Sequence, residues 1–176
     1  MAAPLRPALA LAFGREKWAF VPAVANVNAP TVAEVTAATG LDLSCFLYES
    51  SARPSASTSM VELPRLICDT YSYENPGATK ITGGEARFAV DPQGATGSTG
   101  KKAWEKLPEG TTGFLVARFG IDVNTDFAAG QFVSVYPVKF GAPLVVKEGD
   151  GEGATVAFIS TFGITGPVSQ LVAIAA

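Results

Sequence analysis

The sequence predicts an all-β protein: a β-sandwich or curled antiparallel sheet with one or two short helices, a long loop and an N-terminal arm. Two observations carry that prediction. Short runs rich in β-branched and aromatic residues recur along the 176-residue chain, with 18 glycines and 12 prolines spread between them as punctuation. Helical signals are confined to two brief stretches, so the helices needed to cross between parallel strands are lacking.

Residues 1–14 read as an extended arm, followed by a single β domain over residues 15–176. Arg6 and the run Ala8-Leu9-Ala10-Leu11-Ala12-Phe13 faintly resemble a secretory signal, but the apolar stretch is short and Arg15, Glu16 and Lys17 follow at once. Residues 17–24 are apolar and aromatic and are interrupted by Pro22, which suits an edge strand. Thr31 with Glu34 three residues on predicts a capping box and a helix of about two turns, ended by Gly40, with a plain turn as the alternative.

Residues 41–48 alternate as a strand, with Leu41, Leu43, Cys45 and Leu47 on one face. Residues 50–59 are almost entirely small and polar, and they predict a long loop at about 49–68. Residues 70–74 alternate again and run into Asn75-Pro76-Gly77, a turn signal. A strand resumes over 80–90, where Gly83-Gly84 marks a bulge or a close backbone approach. After a Gly-rich loop at 91–100, Ala103, Trp104 and Leu107 fall on one side of a short helix. Residues 112–119, 131–140, 154–162 and 168–174 complete the strands, and Asp150-Gly151-Glu152-Gly153 supplies a hairpin turn.

Composition narrows the function. Charged residues make up 16% of the chain against about 25% in ordinary soluble domains, and 48% are apolar. A compact monomer of this size shows roughly 8,000 Å² to water. With so little charge, that surface carries apolar patches of the kind that mark contacts, and burial by neighbouring copies is the economical explanation. The net charge of −3 and the absence of a basic run speak against tight nucleic-acid binding.

Histidine is absent, which removes the commonest general base and metal ligand together. Cys45 and Cys68 are too far apart for a metal or redox motif and read as buried small hydrophobes, with one disulfide as the alternative. The glycines and lysines of residues 94–102 suggest a phosphate loop, but Lys102 stands where the magnesium-binding hydroxyl is needed. Acidic pairs such as Asp122 and Asp126 have no distinguishing spacing. No enzyme activity and no cofactor is expected, and no run approaches the ~18 apolar residues of a membrane helix.

Four segments, in order, carry a family resemblance. Lys17-Trp18-Ala19-Phe20-Val21-Pro22-Ala23, Ala29-Pro30-Thr31-Val32-Ala33-Glu34-Val35 and Leu41-Asp42-Leu43-Ser44-Cys45-Phe46-Leu47 make up the first. Tyr71-Ser72-Tyr73-Glu74-Asn75-Pro76-Gly77 is the second, residues 110–120 the third and residues 129–138 the fourth. Together they resemble the major tail tube proteins of long-tailed actinobacteriophages.

The resemblance implies a virion tail protein, assembled in the host cytoplasm, whose hexameric rings stack into a tube for double-stranded DNA. It implies tape measure, terminator and initiator proteins as partners, and no membrane. Contacts between rings are expected from the 50–63 loop and the 1–14 arm, with Ser55, Ser57, Met60, Leu9 and Leu11 as candidates. Glu74 and Glu85, flanking the predicted Asn75-Pro76-Gly77 turn, are candidates for an acidic bore lining that would not hold DNA. An all-β binding module (a capsid decoration or adhesin domain) and a tail terminator or connector subunit are the alternatives.

Overall fold

Side-chain alternation along three strands builds two cores on the two faces of one sheet. The structure, a computed structural model, describes residues 9–49 and 51–176; residues 1–8 of the expected arm and Ser50 of the expected loop lie outside it. Among the described residues the strands are β1 (Glu16–Val21), β2 (Leu41–Asp42), β3 (Ser55–Glu62), β4 (Glu74–Thr82), β5 (Gly84–Ala89), β6 (Thr112–Phe119), β7 (Phe132–Phe140), β8 (Leu144–Glu148), β9 (Thr155–Ile164) and β10 (Ser169–Ala173). Two short helices, α1 (Val32–Val35) and α2 (Lys102–Lys106), accompany them.

Eight strands form one antiparallel sheet in the order β2-β1-β6-β7-β9-β5, with β10 on β7 and β8 on β9. β3 and β4 form a separate two-stranded ribbon. β7 is shared along its length: Val133 pairs with Val172 of β10, and Val138 pairs with Ile164 of β9. The sheet closes on itself through the segment 43–52. Leu43 donates its N–H to the Trp18 carbonyl on β1; further along, Tyr48 and Ala52 donate to Arg87 and Glu85 on β5, and Ala89 donates back to Phe46. One strap thus satisfies the outer edges of both β1 and β5, as buried backbone groups require.

Inside the closed sheet lie Trp18, Phe20, Leu115, Tyr136, Phe88 and Phe158. The intervening residues Ala19, Val21, Val116 and Val135 face outward against Val35 of α1, Phe127 and Ile174. This double burial explains why β1, β6 and β7 read as near-continuous apolar runs instead of strict alternation. At Gly83, between β4 and β5, a β-carbon would collide with the Phe162 carbonyl, so the expected close backbone approach is real.

Five expectations need correction. Only Leu41 and Asp42 of residues 41–48 pair as strand; the Ser44 N–H turns onto the Asp42 carboxylate at 2.9 Å, which ends it. Cys45 and Cys68 are both free and exposed and are not buried hydrophobes. Residues 55–62 are strand, where a loop was expected, while residues 70–73 precede β4 outside any strand. Asn75-Pro76-Gly77 lies within β4, where the register slips between Thr58↔Thr79 and Met60↔Pro76. β4 contributes one more residue than β3 to that step, so the Pro-Gly signal makes a bulge and not a turn. β8 was not anticipated at all.

The predicted capping box is present. Thr31 Oγ1 accepts from the Glu34 N–H at 3.3 Å, and Glu34 accepts from the Thr31 N–H and the Ala25 N–H, each at 2.8 Å. These two backbone donors, Thr31 first, hold the Glu34 carboxyl below its ordinary value. A carboxylate lowered on folding stabilises above its unfolded pKa, and that contribution is lost as pH falls through the folded value. We expect Glu34→Gln to lower the melting temperature at pH 7 and the difference to shrink as pH falls through the folded carboxyl's lowered value; thermal melts of both proteins across the acid range check this.

Candidate assembly surfaces

The β3–β4 ribbon leaves the closed sheet and buries almost nothing. Every residue of β3 is exposed, and no residue of β4 is buried. Ser55, Ser57, Ser59 and Val61 share one face with Asn75, Lys80 and Thr82, while Ala56, Thr58, Met60 and Glu62 share the other with Glu74, Pro76, Thr79 and Ile81. Hydroxyl pairs stitch both faces: Ser55 with Thr82 and Thr58 with Thr79, each at 2.8 Å. At the bulge, a β-carbon on Gly77 would come within 2.7 Å of Ser59 Oγ and 2.8 Å of Val61 Cγ2. Beyond β3 the connection carries exposed Leu63, Leu66, Ile67, Tyr71 and Tyr73, an apolar tip that none of the described residues covers.

A second surface forms where the arm meets the loop after β6. The Gly120 N–H donates to the Arg15 carbonyl and the Val123 N–H to the Gly14 carbonyl, which ties the base of the arm to the loop. Arg118 is fully buried and organises that loop from inside. Its Nη2 donates to the carbonyls of Asp122 and Thr125, each at 2.8 Å. Its Nη1 donates to the Asp126 carbonyl at 2.9 Å and to Gln131 Oε1 at 2.8 Å, and the guanidinium lies over the Phe127 ring at 5.1 Å. Burial pushes its pKa down, partly opposed by Asp126, Asp42 and Asp122. Lys17 is also buried, 3.4 Å from Asp42 and 3.8 Å from Asp126. Beside this group a cavity of about 500 Å³ opens between α1, β2 and the loop.

A family model described as phage tail tube protein matches residues 4–176. The chain belongs to that family. It is a structural protein of the phage tail that self-assembles into a tube. Among solved structures, the SPP1 tail tube, determined by solid-state NMR and cryo-electron microscopy, matches at 16% identity and a TM-score of 0.46, over 90% of this chain and 78% of that chain. No curated protein sequence matches it.

On the tail tube subunit, the residues singled out from sequence divide between these surfaces. Ser55 and Ser57 sit on one face of the ribbon and Met60 on the other, with Met60 57% exposed. Leu9 and Leu11 are exposed on the arm. Glu74 and Glu85 are not the two sides of one hairpin. Glu74 starts β4 directly opposite Glu62, whereas Glu85 sits in β5 of the main sheet, 2.8 Å from Arg87, which also reaches Glu148. Eight residues of strand, roughly 26 Å, separate Glu74 from the ribbon's base at Thr82.

The buried arginine and the apolar tip were both missed by sequence reading. The tip was legible, since Leu63, Leu66, Ile67, Tyr71 and Tyr73 lie close together without a period that could bury them. Arg118 was hidden inside an apolar strand. Replacing it by methionine would remove one donor from each of the carbonyls of Asp122, Thr125 and Asp126, which would keep only the Thr125 N–H, Lys17 Nζ and Gln131 Nε2 respectively. It would also take away the donor to Gln131 Oε1 and the charge over Phe127. Arg118→Met is therefore expected to lower stability in urea unfolding and to speed amide hydrogen exchange over residues 121–131 ahead of the strands.

Proposed function

We propose that the tail tube is a stack of hexameric rings through which double-stranded DNA passes. In this reading the ribbon and arm, with Ser55, Ser57, Met60, Leu9 and Leu11, carry contacts between rings. Initiator and terminator proteins bound the stack and a tape measure protein fills it during assembly in the host cytoplasm, where Cys45 and Cys68 stay reduced. The observation that carries this reading is the ribbon. A two-stranded ribbon is marginal alone in water, and this one adds an apolar tip left uncovered among the described residues.

The role is structural and not catalytic. Ser98 and Lys101 stand three apart, the spacing of a serine–lysine pair, yet Lys101 Nζ is turned to the carbonyls of Pro92 and Gly94 and the buried Ser98 Oγ has no hydrogen-bond partner. Nothing there would activate the hydroxyl.

Replacing residues 55–82 by a short Gly-Ser linker tests the ribbon, because Ser55 and Thr82 are paired neighbours at its base. We expect a folded chain that forms no tubes under negative-stain microscopy at concentrations where the parent does. Normal tubes from the shortened chain would exclude the ribbon as an essential contact.

For the bore, six subunits at −3 each carry −18, the sign that lets DNA slide. Glu74, with Glu62 opposite, has no cation among the described residues, while Glu85 is already matched by Arg87. The double change Glu74→Lys and Glu85→Lys is expected to slow DNA ejection in a salt-sensitive way, through tails of normal length. Of the single changes, Glu74→Lys should account for most of the effect, and unchanged ejection rules both out.

A further inference from the structure

The ribbon tip and the cavity beside the arm fit each other, and both are unoccupied by their own chain. We infer that Leu66 and Ile67 at the tip of one copy seat in the cavity of a second copy, a contact that rests on the tube reading above. Ile67 is 108% exposed and Leu66 67%, so neither is packed among the described residues. The cavity of about 500 Å³ is walled by Val35, Ala38, Leu41, Phe46 and Phe127, a pocket for aliphatic side chains of the kind that anchor interfaces.

Charge agrees with this pairing. Asp42 and Asp126 line the cavity together with Lys17 and Lys102; Lys17 is 3.4 Å from Asp42 and 3.8 Å from Asp126, whose side chain is 97% exposed. Arg65 immediately precedes the apolar tip and is in no ion pair among the described residues; its Nη2 donates to the Asp69 carbonyl at 2.9 Å. The Asp69 carboxylate, which accepts from the Leu66 N–H at 2.7 Å, gives the tip an anion to set against Lys17 and Lys102. A tip entering the cavity brings Arg65 to the two aspartates, which fixes orientation as well as adding attraction. The wall is also preformed. Arg118 holds Asp126 and Phe127 in place through the loop backbone, so little ordering is needed on docking.

The topology of the contact suits a tube. Tip and cavity are different parts of one chain, so each docking leaves one free tip and one free cavity, and the contact propagates head to tail. A tip-to-tip contact would be satisfied at two copies.

The two exposed thiols report on this geometry. Cys68 follows Ile67 at the tip, and Cys45 precedes Phe46 in the cavity wall; both are free. Tubes of the full chain, treated with a short bis-maleimide and run on a denaturing gel, are expected to give a ladder of covalent multimers. Cys45→Ser and Cys68→Ser should each abolish it, and tubes co-assembled from the two single variants should give crosslinked pairs and nothing longer. Ile67→Asp should raise the concentration needed for tube formation about tenfold or more. Crosslinked pairs from Cys45→Ser alone would show tip-to-tip contact and overturn the inference. So would tubes visible by microscopy that give no crosslink, or Ile67→Asp tubes forming at the parent's concentration. Parent protein that forms no tubes at all would instead overturn the tube reading on which the contact depends.

Discussion

Burial on both faces of β1, β6 and β7 is the constraint on which the rest of the structure depends. Phe20 and Val21, Leu115 and Val116, Val135 and Tyr136 are neighbours in sequence that enter opposite cores. Each core then needs its own cover. The inner one is closed by the strap and by Trp104 of α2, and the outer one by α1, Phe127 and Ile174. With these covers in place the ribbon contributes to neither core; it stands away from the body, anchored where Gly83 passes against the Phe162 carbonyl.

The fold class and most of the central strands were legible because burial there writes itself into local composition. The strand expected at 112–119 is β6, and those at 131–140, 154–162 and 168–174 differ from β7, β9 and β10 by a residue or two at their ends. The capping box was legible because its chemistry is entirely local, a hydroxyl and a carboxylate three residues apart. The ribbon was not. Its serines and threonines bury nothing, so hydrophobic period is silent there, and a strand held by cross-strand hydroxyls looks like a polar loop. Pro76-Gly77 misled for a related reason: in an exposed strand a missing N–H and a missing β-carbon are tolerated at a bulge, so they no longer force a turn. The strap at 43–52 failed differently, since alternating residues were read as one strand where a single Asx-type turn at Asp42 diverts the chain.

An exposed ribbon has two open edges, and open edges invite indiscriminate pairing. This one is blunted along its length. Pro76 withholds a donor, the bulge beside Gly77 breaks the run of hydrogen bonds, Lys80 adds charge, and Glu62 faces Glu74 across the strands. Like charges opposed in this way cost roughly 0.2–1 kcal/mol, a small loss against the benefit of keeping ribbons apart until a proper surface is met. The hydroxyl pairs hold the ribbon's register without making its faces adhesive. Selectivity is thus built into the strands, while attraction is concentrated at the tip and on the arm.

Surface area shows that this division is sufficient. The chain exposes 10,975 Å², roughly 3,000 Å² more than a compact monomer of its mass would show. A stable contact takes about 800 Å² from each partner. The surplus is therefore enough for three or so contacts of ordinary size, and a subunit that self-assembles into a tube has use for more than one. No single contact then has to be strong. When one subunit is held by several weak contacts at once, the later ones form at high effective concentration, and the assembled lattice is far tighter than any pair. Two free subunits meeting through one contact gain no such help. A charge-poor subunit with an apolar tip can therefore remain dispersed at moderate concentration and yet polymerise firmly once a growing tube offers several surfaces together.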